Sequence, residues 1–233
     1  MNNKGTRINK YLSSAGVCSR RRADELIMEG RIKINNQIAN LGSLVNPSDI
    51  VMFDSNIIEK KEPEIFLAFH KPIGIVCTTS KKEKDNIIDY INYEYRIYPV
   101  GRLDKDSEGL ILLTNNGEIM DRILRSRNGH QKEYIVTVNK SISTEFIKRM
   151  SEGVPILNTV TKPCEVTKIN KDTFKIILTQ GLNRQIRRMC KELTYHVVSL
   201  KRIRIMNINL GTLKTGESRL LTKKEIKVLK TML

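Results

Sequence analysis

The sequence has no apolar run near the roughly 20 residues that a membrane-spanning helix needs; its longest, such as residues 109–113, are far shorter. Residues 1–7 are polar and lack the apolar core of a secretory signal, so the expected compartment is the cytoplasm. Cysteine is sparse and scattered. Cys18, Cys77, Cys164 and Cys190 form no C-x-x-C pair and have no histidine at ligand spacing, so structural zinc is not expected and the thiols should be reduced. His70, His130 and His196 are isolated from cysteine and from one another, and no metal site is expected. Acidic residues are also in short supply, with 25 Asp and Glu against 41 Lys and Arg and a formal charge of +16. Such a field attracts polyanions, which makes nucleic acid the first partner to consider and an anionic membrane surface the weaker rival. The 39% hydrophobic and 28% charged residues suit a folded chain, and 233 residues suit one large domain or two smaller ones.

Two regions separate along the chain. Over residues 6–15, Ile8, Tyr11, Leu12 and Ala15 fall at the spacing of one helix face, and Gly16 is a natural stop. A second short helix follows, with Ser19 as N-cap, Ala23, Leu26 and Ile27 as its apolar stripe and Gly30 at its end. Residues 31–35 alternate like a strand, Asn35-Asn36 offers a turn, and residues 49–53 read as a closing strand after Pro47. Arg20, Arg21 and Arg22 occupy the first turn of the second helix, where the dipole favours acids and each misplaced charge costs about 0.3–1 kcal/mol. With Arg7 and Lys10 nearby, the cluster suits a nucleic-acid phosphate, against the alternative of a solvated basic face.

The charged, proline-broken run 59–64 reads as a linker. Beyond it, strand-like runs at 65–69, 75–79, 109–114, 134–138, 173–179 and 203–209 interleave with helical stretches at 118–126, 144–151, 183–193 and 223–231. The last helix opens on Thr222-Lys223-Lys224-Glu225, a capping box ahead of Ile226 and Leu229. The mixture lacks regular β-α-β repetition.

Three segments carry candidate chemistry. Residues 101–109, G-R-L-D-K-D-S-E-G, form a polar loop feeding the apolar run 110–113, and such loops are favoured places for catalysis. By pattern alone, Asp104 and Asp106 could be acid/base groups, metal ligands or turn formers; turn formation carries most weight, and the basic neighbours Arg102 and Lys105 speak against magnesium. Over residues 183–193, Ile186, Met189, Cys190 and Leu193 make one helix face apolar, while Arg184, Arg187, Arg188 and Lys191 crowd the other. Like charges at that spacing repel, so the face points to an anionic ligand or a buried carboxylate, or else to a solvated helix. Lys132-Glu133-Tyr134 leads into an alternating strand, and Tyr134 reads as a core aromatic or as a stacking face for a nucleobase.

Together these segments resemble the bacterial RNA pseudouridine synthases of the group named after ribosomal small subunit pseudouridine synthase A. Residues 6–53 resemble the S-four RNA-binding module through R-I-N-K-Y-L at residues 7–12 and G-V-C-S-R-R at residues 16–21. The remainder resembles the catalytic domain through K-P-I-G at 71–74, G-R-L-D at 101–104, K-E-Y at 132–134 and N-R-Q-I-R-R-M at 183–189. The implied fold is α+β: a small N-terminal S-four-type module over residues 1–58, a linker over 59–64, and a mixed, largely antiparallel-sheet catalytic domain over 65–233.

The resemblance assigns roles. Asp104 would be the catalytic nucleophile, Asp106 a loop residue, Tyr134 the ring that packs on the target uracil, and Arg187 the partner of the catalytic aspartate. Arg102 would bind backbone phosphate or help to hold the flipped nucleotide, and RNA binding would fall to Arg7, Lys10, Arg20, Arg21, Arg22, Arg102, Arg184 and Arg188. His70 departs from the asparagine common before K-P-x-G. Isomerising uridine involves no net redox change and no external group donor, so neither cofactor nor metal is expected. The expected substrate is one uridine of 23S ribosomal RNA near the peptidyl-transferase region, with tRNA as an alternative, acted on by a monomer. A non-catalytic RNA-binding or ribosome-assembly factor is the rival reading.

Overall fold

Short helices with one apolar stripe bury it only by packing on something else, and the N-terminal region does this with a small sheet. In the computed structural model, which describes residues 5–59, 63–125 and 129–233, β1 (Thr6–Arg7) leads into α1 (Ile8–Ser14) and α2 (Arg20–Met28). Residues 60–62 of the expected linker, and Ser126 at the end of an expected helix, lie outside the described residues. Ser19 caps α2 by accepting a hydrogen bond from the Arg22 amide. The strands are β2 (Ile32–Ile34), β3 (Gln37–Ile38), β4 (Leu44–Val45), β5 (Val51–Phe53) and β6 (Asn56–Ile57). β4 pairs with β1, and the other four form an antiparallel sheet in the order β3-β2-β5-β6. Asn35-Asn36 and Asp54-Ser55 all have positive φ, the geometry of a two-residue hairpin turn. Ile8, Leu12, Ala23, Leu26, Ile27, Ile32 and Val51 are core residues of this unit.

By its internal contacts the chain divides into Met1–Glu64 with Glu94–Arg96, and Ile65–Tyr93 with Ile97–Leu233. The second unit is built from β7 (Phe66–Lys71), α3 (Ile87–Ile91), β8 (Tyr98–Pro99), β9 (Glu108–Thr114), α4 (Gly117–Leu124), β10 (Lys132–Val138) and α5 (Thr144–Glu152). There follow β11 (Pro155–Ile156), β12 (Thr159–Val160), β13 (Glu165–Lys168), β14 (Thr173–Leu178), α6 (Gln185–Glu192), β15 (Val197–Ile205), β16 (Ile208–Asn209), β17 (Ser218–Leu220) and α7 (Lys223–Thr231). The main sheet runs β13-β14-β10-β15-β9-β7-β17, with β16 on β15 and β8 on β9. Every pairing is antiparallel except that of β15 with β9, where Lys201 faces Glu108 and Arg202 faces Gly109. One core cluster gathers Phe66, Ala68, Leu110 and Leu112 of the sheet with Ile119 and Ile123 of α4 and Leu229 of α7. β7 is buried along its whole length.

Two sequence expectations give way here. Residues 75–79 form no strand: Val76 makes only an isolated bridge to Asn86. Gly74 has positive φ, and the wholly buried Lys71 donates to the carbonyls of Pro72 and Ile75, turning the chain just where the strand was expected. The strand expected at 203–209 instead begins at Val197 and breaks at Met206, whose φ of 51° reverses the chain into β16. No helix among the described residues is long and apolar enough to cross a membrane.

Candidate active site

The loop between β8 and β9 carries the G-R-L-D segment, and its backbone is held from several sides. The Leu103 amide donates to Cys77 Sγ at 3.3 Å, the Gly74 amide to the Lys105 carbonyl at 2.8 Å, and the Ser107 amide to the Asp104 carbonyl at 3.0 Å. Leu103 is buried while Asp104 is half-exposed, so an apolar anchor beside the carboxylate presents it at the edge of a cleft of about 400 Å³.

Behind the loop lies Arg202, only 3% exposed. Its Nε donates to the Leu110 carbonyl at 2.6 Å and its Nη1 to the Arg102 carbonyl at 3.4 Å, so one guanidinium ties together both ends of the segment that holds Asp104. Gly109 makes this approach possible. A Cβ there would collide with the Arg202 carbonyl, and its φ of 113° is strained for any other residue.

Helix α6 brings the arginines. Arg184 is its N-cap in a left-handed conformation, and Arg187 follows one turn on. Asp106, which the resemblance leaves as a loop residue, is the hub: Arg184 grips it at 3.2 and 2.8 Å. Arg187 Nη2 donates to the Asp106 carbonyl at 2.8 Å and to Ser107 Oγ at 3.1 Å, with Nε 3.4 Å from Asp106 Oδ2. The hydrogen bonds from Arg184 and the two positive charges hold the Asp106 carboxyl below its ordinary pKa. The expected pairing of Arg187 with Asp104 is therefore corrected. Asp104 has one ion pair among the described residues, to Arg184 at 3.8 Å, because Asp106 sits closer to both guanidinium groups. Arg188 turns back onto Asn183 instead of lining the cleft.

The floor of the cleft is sheet. Tyr134, 9% exposed, stands opposite Arg202 across β10 and β15, with Lys132 beside it on the same strand face and Leu178 and Leu200 at the margins. Burial and the Arg202 charge lower the Lys132 pKa. Five arginines and one lysine line the cleft (Arg102, Arg125, Lys132, Arg184, Arg187, Arg202), against a single carboxylate, Asp104. No group of residues among those described has the composition to hold a metal ion.

In the N-terminal unit Arg7, Arg20 and Arg21 are exposed and Lys10 is half-buried. Arg22 differs: its Nη1 lies 2.7 Å from Glu25 and 3.0 Å from Glu29, so its own helix neutralises it. Sequence reasoning missed Arg202, Ser107 and the part played by Asp106. Arg202 left one trace, a charged residue two positions after Leu200, on the inward phase of a strand.

A family model described as RNA pseudouridylate synthase matches residues 65–192, and the S4 domain model matches residues 6–51. The chain is 51% identical over 222 residues to the dual-specificity RNA pseudouridine synthase RluF of Escherichia coli (strain K12), covering 94% of this chain and 77% of that one. It is 34% identical to the ribosomal large subunit pseudouridine synthase B of Bacillus subtilis (strain 168), covering 97% and 96%. Among solved structures, a pseudouridylate synthase crystal structure superposes with a TM-score of 0.70 at 28% identity, covering 96% of this chain and 99% of that one.

Proposed function

The chain belongs to the RNA pseudouridylate synthase family and is an RNA pseudouridine synthase, and from that premise we propose that it isomerises one uridine of 23S ribosomal RNA, near the peptidyl-transferase region, with Asp104 as nucleophile. The observation that carries the role of Asp104 is its setting. Among the described residues it is the single carboxylate lining the cleft that Tyr134 also lines, and one long ion pair restrains it. A carboxylate so placed keeps its lone pairs available for attack on the ribose or on the uracil ring.

The target base must first leave its stack, at a cost of a few kcal/mol, and enter a pocket that replaces the lost contacts. Tyr134 supplies a ring face for this, worth about 1–3 kcal/mol per stacked base. Arg102, exposed at the cleft edge, meets the backbone phosphate. Affinity for RNA structure comes from Arg7, Lys10, Arg20 and Arg21 of the N-terminal unit, through phosphate contacts that release counterions. Ribosomal RNA as substrate is supported by the name of the Bacillus subtilis relative. The dual-specificity name of the Escherichia coli relative favours a second reading, that a tRNA uridine is modified as well. We take the enzyme to act in the cytoplasm as a monomer.

The test is tritium release from RNA transcribed with 5-tritiated uridine, using 23S ribosomal RNA and tRNA in separate reactions. Asp104→Asn is expected to abolish release while leaving RNA affinity intact. Turnover in that variant would remove Asp104 from the reaction, and release from tRNA alone would remove 23S RNA as substrate.

A further inference from the structure

Two cations on the cleft floor have no counter-ion among the described residues. Arg202 is buried, its acceptors are both neutral carbonyls, and its Nη2 is buried without any hydrogen bond. The Lys132 side chain makes no hydrogen bond or ion pair with any described residue, and the Arg202 charge repels it. Arg202 is buried and Lys132 half-buried, and leaving such charged groups unpaired is costly. Burial and, after it, repulsion from Arg202 depress the Lys132 pKa; with Arg202 Nη2 buried and unpartnered beside it, the arrangement calls for an anion from outside.

The sheet geometry says where that anion would lie. Lys132 and Tyr134 are two residues apart on β10 and share a face, and Arg202 stands directly across from Tyr134 on β15. A flat ring stacked on Tyr134 therefore has a cation along the strand on one side and a second cation across the sheet on another. Phosphate is tetrahedral and hydrated, and suits exposed arginines such as Arg102 at the cleft edge. The floor, bounded by Leu178 and Leu200 as well as Tyr134, suits a base.

We propose that Lys132 and Arg202 are the electrostatic partners of the uracil ring while it is detached from ribose, holding it as an anion through its two carbonyl oxygens. The inference rests on the reading that Tyr134 stacks the target base. When the Asp104 carboxylate bonds to ribose C1′ the bond from C1′ to N1 breaks, and its electron pair stays on the base and spreads onto the carbonyl oxygens; the carboxylate leaves again when C5 takes its place on C1′. When C1′ is joined to C5 the charge is consumed in the new bond, C5 loses its proton to water and N1 takes one up from water, so the product is an isomer. Cations fixed in a dry site stabilise such a transient charge far better than water-exposed ones do. They also keep the free ring from leaving before it has turned.

Lys132 is the residue to change, because Arg202 also ties the loop at Leu110 and Arg102 and its loss would mix the two effects. Lys132→Met, Lys132→Arg and Asp104→Asn are compared with the unaltered chain under single-turnover conditions on 5-tritiated 23S ribosomal RNA and tRNA, alongside equilibrium RNA binding and a thermal melt. Lys132→Met is expected to slow tritium release by about 100-fold with RNA affinity within about twofold and an unchanged melt; Lys132→Arg should recover most of the rate. The proposal is overturned if Lys132→Met reacts at the original rate, if affinity falls as far as rate does, which would mark a phosphate subsite, or if Lys132→Arg is as slow as Lys132→Met, which would mark packing. Activity in Asp104→Asn would overturn the nucleophile assignment and leave the Lys132 comparison standing.

Discussion

Arg184 grips both carboxylate oxygens of Asp106, at 2.8 and 3.2 Å, yet comes no nearer than 3.8 Å to Asp104 two residues earlier. The two aspartates thus divide the labour of one loop. Asp106 absorbs the arginine charge, and Asp104 faces the cleft with its lone pairs little engaged. Asp106→Asn frees Arg184 to move onto Asp104 and occupy the nucleophile. The expected result is a fall in kcat of about 10-fold with KM little changed, measured by tritium release, and Asp106→Glu should restore part of it.

If Tyr134 provides a stacking face and its hydroxyl is dispensable, Tyr134→Phe keeps most of the activity. Tyr134→Ala should lose about 1–3 kcal/mol of transition-state stabilisation, read from kcat/KM. Equal losses in the two variants would assign the role to the hydroxyl.

Arg7, Arg20 and Arg21 changed together to Gln should weaken RNA binding and make the slope of log affinity against log salt shallower by roughly one per phosphate contact removed. The turnover rate of bound RNA should hold. Arg22→Gln should alter the slope least, because Glu25 and Glu29 already claim its guanidinium; a slope change as large as that of Arg20→Gln would contradict this.

Gly109→Ala sets a methyl group against the Arg202 carbonyl at a backbone angle of 113°. A loss of about 3 kcal/mol or more in denaturant unfolding is expected, with activity falling alongside.

Glu225 completes the capping box of α7 and receives two hydrogen bonds from Arg219. These, chiefly the Arg219 bonds, pull its carboxyl down from an ordinary 4.5 to about 2. Because the folded value is the lower one, the stabilisation is fully present above the unfolded pKa and is lost as pH falls from about 4.5 towards about 2. Glu225→Gln should lower the melting temperature at neutral pH and show a shallower decline across that acid window; identical acid profiles would refute it.

Local signals in the sequence were sufficient for local structure. Thr222 and Glu225 fixed the start of α7, and Ser19 fixed that of α2, because capping is decided within one turn. Asp104, Tyr134, Arg184 and Arg187 all line one cleft, as the motifs suggested. What the motifs could not convey was the pairing among them. Which aspartate takes the arginines depends on distances between a loop and a helix nearly 80 positions apart in sequence. The turn at residues 72–75 was hidden for a similar reason: Lys71, read from sequence as part of a motif, spends its charge on two backbone carbonyls. Arg202 was obscured because it lies just before the strand expected at 203–209, between Lys201 and Arg204 in a basic run.

The single parallel pairing in the sheet, β15 beside β9, joins segments whose contacting residues are 92 apart in the bond from Arg202 to Leu110. Contacts this distant require a long loop to close before they repay its entropy, so they form slowly and late. During synthesis, the loop bearing Asp104 emerges from the ribosome well before the strand that braces it. The S4 module is therefore made before the catalytic centre can assemble, and chemistry must wait for the strand that carries Arg202.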